Sequence, residues 1–445
     1  MVERNKKINR IILLFLCISF FQFFIRLYFL HPTFSDETFY FNVAKEFSQG
    51  KTLYKDFFFA HSPLQIYLIA LFFKIFGVSF FVGKLIPLIF SSLDAILIFL
   101  IGKKLAGERV GIIAFLFFLF FPSFLSFSLL EIGVWEAMFF LLFSLYFLLE
   151  EKLFLSSIFF SISLFFRYLV IFYFPFLLIL VLILRKNAKK YFIFSLLTSF
   201  LLFCFFLLLY GKNLFIQTVL FHFYKLNRIA YSQYFQVGYF SLFLSLVSAF
   251  VLHKKKNKVF FLFSLIPLIA DSFLLIIFSF HYYHYFLFSL PFCILATSAA
   301  FVFSKNKIAK AFILLILIFS VLFNLQTIDF YLNPLYAHKF YLMVDLVEKN
   351  AGTNETIFGE PVATNFISFV TNRKIAGNYL DSYPFHLKFE GYEKVLSILK
   401  EEKPKVLIGM KVKNESYFPF EEILKDYELE KMIGDTPTYF LFRRK

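Results

Sequence analysis

The chain has 445 residues, 60% of them hydrophobic and only 17% charged, a balance that leaves too little polar surface for a water-facing globule. Its net charge of +16 is spread as short Lys/Arg clusters between apolar runs, with no aromatic-studded basic groove, so nucleic acid is not an expected partner. The three cysteines, Cys17, Cys204 and Cys293, each lie inside an apolar run, which argues against a disulfide framework or a zinc knuckle.

The apolar runs are mostly about 17 to 25 residues long, the length that crosses ~30 Å of hydrocarbon at 1.5 Å per residue. In chain order the expected spans are Ile11 to Leu30, Phe80 to Gly102, Val110 to Leu130, Gly133 to Leu149, Leu153 to Phe166, Tyr168 to Leu184, Tyr191 to Tyr210, Tyr239 to Leu252, Val259 to Phe280, Tyr285 to Ser304 and Ile308 to Ile328. The first follows Arg4, Lys6, Lys7 and Arg10 without a small-residue cleavage site, so it is expected to stay as a signal anchor. The fifth and sixth share one run and are the least certain division. The expected fold is therefore a polytopic α-helical membrane protein of about eleven transmembrane helices. Residues 1–330 form the membrane domain, and 331–445 a small α/β domain.

Orientation follows from the loops. The clusters Lys103, Lys104 and Arg109; Lys152; Arg185, Lys186, Lys189 and Lys190; Lys254, Lys255, Lys256 and Lys258; and Lys305, Lys307 and Lys310 all fall on the side of the basic N-terminus. By the positive-inside rule that side is cytoplasmic in a multi-pass cell-membrane protein. The segments 31–78, 211–238 and 329 onward then face outward. In the first, Asp36 to Gln49 reads as an amphipathic helix with Ser35 or Asp36 as N-cap and Gly50 as C-cap, and Ser62 to Phe76 as a second helix, both at the outer membrane interface. The tail alternates a strand at Thr356 to Phe358, helices near Pro361 to Val370 and Tyr392 to Glu401, and strands Lys405 to Met410 and Thr438 to Phe442. It also carries the glycosylation triplets at Asn354 and Asn414.

The first outward loop reads Ser35-Asp36-Glu37-Thr38-Phe39-Tyr40, then Ala44, Gly50, Tyr54-Lys55-Asp56 and His61-Ser62-Pro63-Leu64-Gln65. This order of Asp-Glu, Tyr, Ala, Gly, Tyr-x-Asp and Pro-Leu resembles the first loop of the GT-C membrane glycosyltransferases, in the branch of protein O-mannosyltransferases and the aminoarabinose transferase. Phe76-Gly77 and Lys103-Lys104-Leu105-Ala106-Gly107 extend the likeness, which is good from Phe34 to Glu131, looser to Phe330 and weak in the tail. The resemblance implies transfer of a sugar from a polyprenyl-phosphate donor to a protein, lipid or glycan acceptor at the outer face of the bilayer.

A single inverting displacement at the anomeric carbon needs one carboxylate to take the acceptor proton, and positive charge or donors for the leaving phosphate. Asp36 is the expected base, its plain alternative being a helix N-cap. Glu37 either supports it or merely opens a helix with negative charge. Tyr40, Tyr54, Asp56 and Glu131 are further cleft candidates. His61 stands where the aminoarabinose-transferase motif has a Lys, so it keeps a donor but makes full charge depend on pH. Arg167, at the outer end of a span, must have a partner or reach the interface, a donor phosphate being one such partner and snorkelling the plain alternative. His222, Lys225 and Arg228 place positive charge in the second outward loop as candidate phosphate contacts. His281, Tyr282 and His284 are cleft candidates whose plain alternative is an interfacial aromatic belt. Asp94, Glu136 and Asp271 are expected to pair with Arg or Lys neighbours within the spans. The chemistry requires no cofactor, and although paired carboxylates permit a divalent metal, none is implied. A transporter or flippase is the alternative, against which stands the lack of paired halves.

Overall fold

The computed structural model describes residues 23–33, 35–226, 235–277, 285–333, 335–412, 415–417, 421–434 and 438–445. The chain divides into two compact units that do not follow hydropathy. One holds the residues up to Leu30 with Lys84–Phe205 and Leu226–Leu332, and the other holds His31–Gly83, Phe206–Lys225 and Asn333–Lys445.

The first unit is helical. Two helices, Phe80–Ala106 and Ala188–Tyr210, are long and apolar enough to cross a membrane by themselves. Leu208, 87% exposed, and Leu196, 60% exposed, show that the second of these keeps apolar side chains on its surface. Other expected runs appear as shorter or broken helices. The run from Val110 to Leu130 becomes Glu108–Leu119 and Pro122–Phe127, because Pro122 lacks an N–H and forces the extended backbone seen at Phe121. The run from Leu153 to Leu184 splits at Arg167, whose backbone is extended between the helix Leu153–Phe166 and a 3₁₀ turn, Tyr168–Tyr173, before the helix Phe174–Ile183. That is the division expected from the hydropathy.

Hydroxyl groups join neighbouring helices in this unit. Ser144 Oγ donates to the Ser156 carbonyl (2.7 Å) and Ser156 Oγ to the Ser144 carbonyl (2.8 Å). Ser195 Oγ donates to Ser157 Oγ (3.1 Å), and Ser248 Oγ to Thr297 Oγ1 (3.1 Å). Where the surroundings are apolar, such bonds and close backbone approach replace hydrophobic burial as the adhesive between helices. Gly111 provides the close approach: a Cβ there would lie 2.6 Å from the Phe99 carbonyl oxygen.

The second unit joins residues 31–83 to the tail. Helices α1 (Glu37–Ser48) and α2 (Leu64–Phe76) come from the first of these segments, and α3 (Pro361–Thr371) and α4 (Pro384–Glu390) from the tail. The sheet comprises β1 (Ile357–Gly359), β2 (Val406–Val412), β3 (Glu415–Tyr417), β4 (Tyr427–Ile433) and β5 (Thr438–Arg444). Its order is β1-β2-β5-β4, with β3 also on β2. The β1–β2 pair is parallel, and the other pairs are antiparallel.

Every residue of α1 from Glu37 to Lys45 is buried, so the expected helix lying against a bilayer is instead enclosed by protein on both faces. Its polar positions explain this. Asn42 Nδ2 donates to Asn365 Oδ1 (3.1 Å) and Ser368 Oγ (3.1 Å), and Thr38 Oγ1 donates to the Val362 carbonyl (3.1 Å). Lys45 Nζ reaches the carbonyls of Ser368 (3.5 Å) and Phe369 (3.4 Å), near the negative end of the α3 dipole. Phe41, Phe73, Phe80 and Phe369 fill the apolar space beside these bonds.

Candidate functional site

The tail brings two side chains to Asp36. Strand β1 ends at Gly359, whose φ of +149° and close approach to β2 leave no room for a side chain: a Cβ would lie 2.1 Å from the Ile408 carbonyl oxygen. The next residue, Glu360, donates its N–H to that same carbonyl (2.8 Å) and opens α3 as N-cap, with Oε2 accepting from Ala363 N–H (2.7 Å). Ser382 Oγ donates to the Gly359 carbonyl (2.6 Å), which fixes the residue next to Tyr383 at this end of the sheet. From there Tyr383 Oη donates to Asp36 Oδ1 at 2.8 Å.

Asp36 stands at the N-cap position of α1, yet its side chain makes no capping hydrogen bond. Its carboxylate is half-buried and is engaged by Tyr383 through one oxygen. Glu360 is 3% exposed, and burial first, with the charge of Asp36 adding to it, pushes its carboxyl up to about 7. Glu37 points the other way: its Oε1 accepts from the Thr33 N–H (2.9 Å) and Thr33 Oγ1, which stiffens the entry to α1.

Tyr40, one turn after Asp36, belongs to a group of aromatic and imidazole rings. Tyr40 and His61 have ring centroids 5.4 Å apart, and His61 and His222 are 6.2 Å apart. His222 Nε2–H donates to the Ala60 carbonyl (2.8 Å). Tyr54, held at φ +64°, donates its hydroxyl to the His61 carbonyl (2.7 Å), while Gln217 Nε2 donates to the Tyr54 carbonyl (2.8 Å). Asp56 stands apart from this group: it is exposed and accepts from Thr52 N–H (2.7 Å) in a local turn. Lys225 lies in the helix Phe221–Leu226. Arg228, His281, Tyr282 and His284 lie outside the described residues, as does Asn414.

The first unit gathers a different set. Glu131, Glu136 and Arg167 are buried, and Glu136 lies in the field of Arg167. Asp94 lies near Glu136, whereas Asp271 accepts from Ser289 Oγ (2.7 Å). An Arg therefore neighbours Glu136, while a hydroxyl takes the place of the expected Arg or Lys at Asp271. Two buried cations reach neutral acceptors: Lys84 donates to the Leu129 carbonyl (3.1 Å), and Arg26 to Ser92 Oγ (3.1 Å), the Ser128 carbonyl (2.9 Å) and Ser91. Among the described residues no three His, Cys, Asp or Glu side chains come together as a metal site.

Tyr383 and Glu360 escaped the sequence reading. Glu-Pro and Tyr-Pro at 360–361 and 383–384 do mark helix starts, but a contact across 347 residues leaves no local trace.

Solved membrane-enzyme structures share the fold of this chain. ArnT from Cupriavidus metallidurans bound to undecaprenyl phosphate matches with a TM-score of 0.64 at 11% identity, covering 97% of each chain. ArnT in the apo state gives 0.62 at 9% identity with the same coverage. The Archaeoglobus fulgidus oligosaccharyltransferase in the apo form gives 0.52 at 13% identity, over 84% of this chain and 65% of its own. By sequence, residues 60–210 match the family described as dolichyl-phosphate-mannose-protein mannosyltransferase. No curated protein sequence matches the chain.

Proposed function

We propose that the chain is an inverting glycosyltransferase that moves a sugar from a polyprenyl-phosphate donor to an acceptor at the outer face of the membrane, with Asp36 as general base. The observation that carries this is the state of Asp36. A carboxylate at a helix start ordinarily turns onto the first free amides. Here it stays off them and is held through one oxygen by Tyr383. The GT-C fold and the matched family support the reaction class, and the undecaprenyl phosphate bound to ArnT supports a carrier of the same chemistry.

In this mechanism Asp36 takes the proton of the acceptor nucleophile as it attacks the anomeric carbon. The bond from that carbon to the phosphate oxygen breaks on the opposite side, and the phosphate leaves as an anion. No second acid is needed for such a leaving group. His61 and His222 are its proposed partners. Because His222 Nε2–H is committed to the Ala60 carbonyl, only protonated His222 has a second N–H to offer, from Nδ1. Lys225 and Arg228 are proposed to add charge from the same loop. Arg167 is proposed as a further phosphate contact, and Asp56 shapes its turn.

The test is transfer from radiolabelled polyprenyl-phosphate sugars in membranes carrying the wild type or Asp36→Asn. Loss of transfer by at least about a hundredfold is expected for removal of a general base. Normal transfer by the Asn variant would remove Asp36 from the role. Labelled sugar crossing sealed vesicles without donor cleavage would favour a transporter.

A further inference from the structure

We propose that Tyr383 is a positioning residue, whose phenol fixes Oδ1 of Asp36 and leaves Oδ2 to the acceptor, so that the C-terminal segment completes the active site. This rests on the assignment of Asp36 as base.

Four features hold Tyr383 where it stands. Its backbone is extended (φ −61°, ψ 140°), as the following Pro384 requires, and it forms the N-cap of α4. Its carbonyl accepts from His386 N–H (2.9 Å) and Leu387 N–H (3.0 Å). Its N–H donates to Asp381 Oδ1 (3.4 Å), and its ring stacks on Phe385 with centroids 5.4 Å apart and planes 10° from parallel. Phe385 in turn packs with Phe389 on a buried cluster of Phe58, Ala60 and Phe221, so α4 is fixed against the two segments that carry His61 and His222. At the end of this fixed ring the hydroxyl meets Asp36 Oδ1, while Ser35 Oγ accepts from Glu37 N–H (3.4 Å) at the helix start.

A phenol is a neutral donor at physiological pH, with an ordinary pKa near ~10. Donation to Oδ1 restricts the rotation of the carboxylate and keeps Oδ2 available to the acceptor.

The experiment uses the full chain in membranes with radiolabelled polyprenyl-phosphate sugars. Tyr383→Phe keeps the ring and its stacking and removes only the hydroxyl. Its kcat is expected to fall about tenfold or more with donor KM within about twofold, and Tyr383→Phe should add nothing to Asp36→Asn. If Asp36→Asn loses transfer while Tyr383→Phe keeps the wild-type kcat, the positioning role is overturned and the base assignment stands. If Asp36→Asn still transfers sugar, the base assignment falls and the positioning role falls with it.

Discussion

Glu360 combines a buried carboxyl, a capping bond and a nearby negative charge, and its titration should be visible in the stability of the chain. Below pH 4.5 it is protonated in both folded and unfolded states and its shift has no effect. Between 4.5 and about 7 the folded chain keeps a proton that the unfolded chain has released, so stability falls as pH rises. The loss levels off above about 7 at roughly 3 kcal/mol, from a shift of some 2.5 units at 1.36 kcal/mol each. Gln at this position still accepts from Ala363 N–H and cannot ionise. The Glu360→Gln variant is therefore expected to match the wild type near pH 4.5 and to melt higher at pH 8, measured by thermal unfolding of the detergent-solubilised chain. Equal melting curves at pH 8 would show that burial does not raise the Glu360 carboxyl in the folded chain. Asp36 was legible in the sequence because its neighbours lie along the chain, in the spacing from Ser35 to Gln65. Glu360 and Tyr383 were not, because what makes them notable is the approach of a distant segment.

Among the elements, β1 shows how much can depend on three residues. It was visible as a short strand at Thr356 to Phe358, and the helix after it as a run beginning at Pro361. What hydropathy could not supply is the parallel approach to β2, which requires glycine at 359. Gly359→Ala would put a Cβ into the Ile408 backbone at a φ that L-residues avoid. A cost of about 2 to 4 kcal/mol is expected from backbone strain and overpacking together. Urea unfolding should show it, and transfer activity should fall with it, because Glu360 and the bond from Ser382 hang on this strand. Retained stability would mean that β1 can slide away from β2 without harm. Strand β4 escaped notice for a different reason: Tyr427–Ile433 is a mainly exposed edge strand with charged residues in its middle, without the apolar alternation that marks a half-buried strand. Helix α1 was located to within a residue, but its surroundings were misjudged. Asn42 and Lys45 look solvent-facing in a helical projection, and α3 provides their partners.

At the scale of the whole molecule, the apolar runs predicted helix positions far better than helix continuity. The boundaries at Val134–Leu149 and Leu153–Phe166 agree closely with the hydropathy, and the break at Arg167 falls where the runs were divided, whereas Pro122 breaks the backbone at a place where an apolar count runs straight on. Orientation rests on charge alone: the Lys and Arg clusters at 103–109, 185–190 and 254–258 against the segments at 31–78 and from 329. The unit that joins Asp36 to the tail sharpens this, since α1, α3 and the sheet must then share one side of the bilayer. Ser397 is exposed on the helix Tyr392–Glu402, and Lys255 is exposed beyond the helix Phe235–Lys254. In intact cells a membrane-impermeant maleimide is expected to label Ser397→Cys and to leave Lys255→Cys unlabelled until the membrane is opened. The reverse pattern would put the Asp36 unit on the cytoplasmic side, where a base for transfer at the outer face could not act.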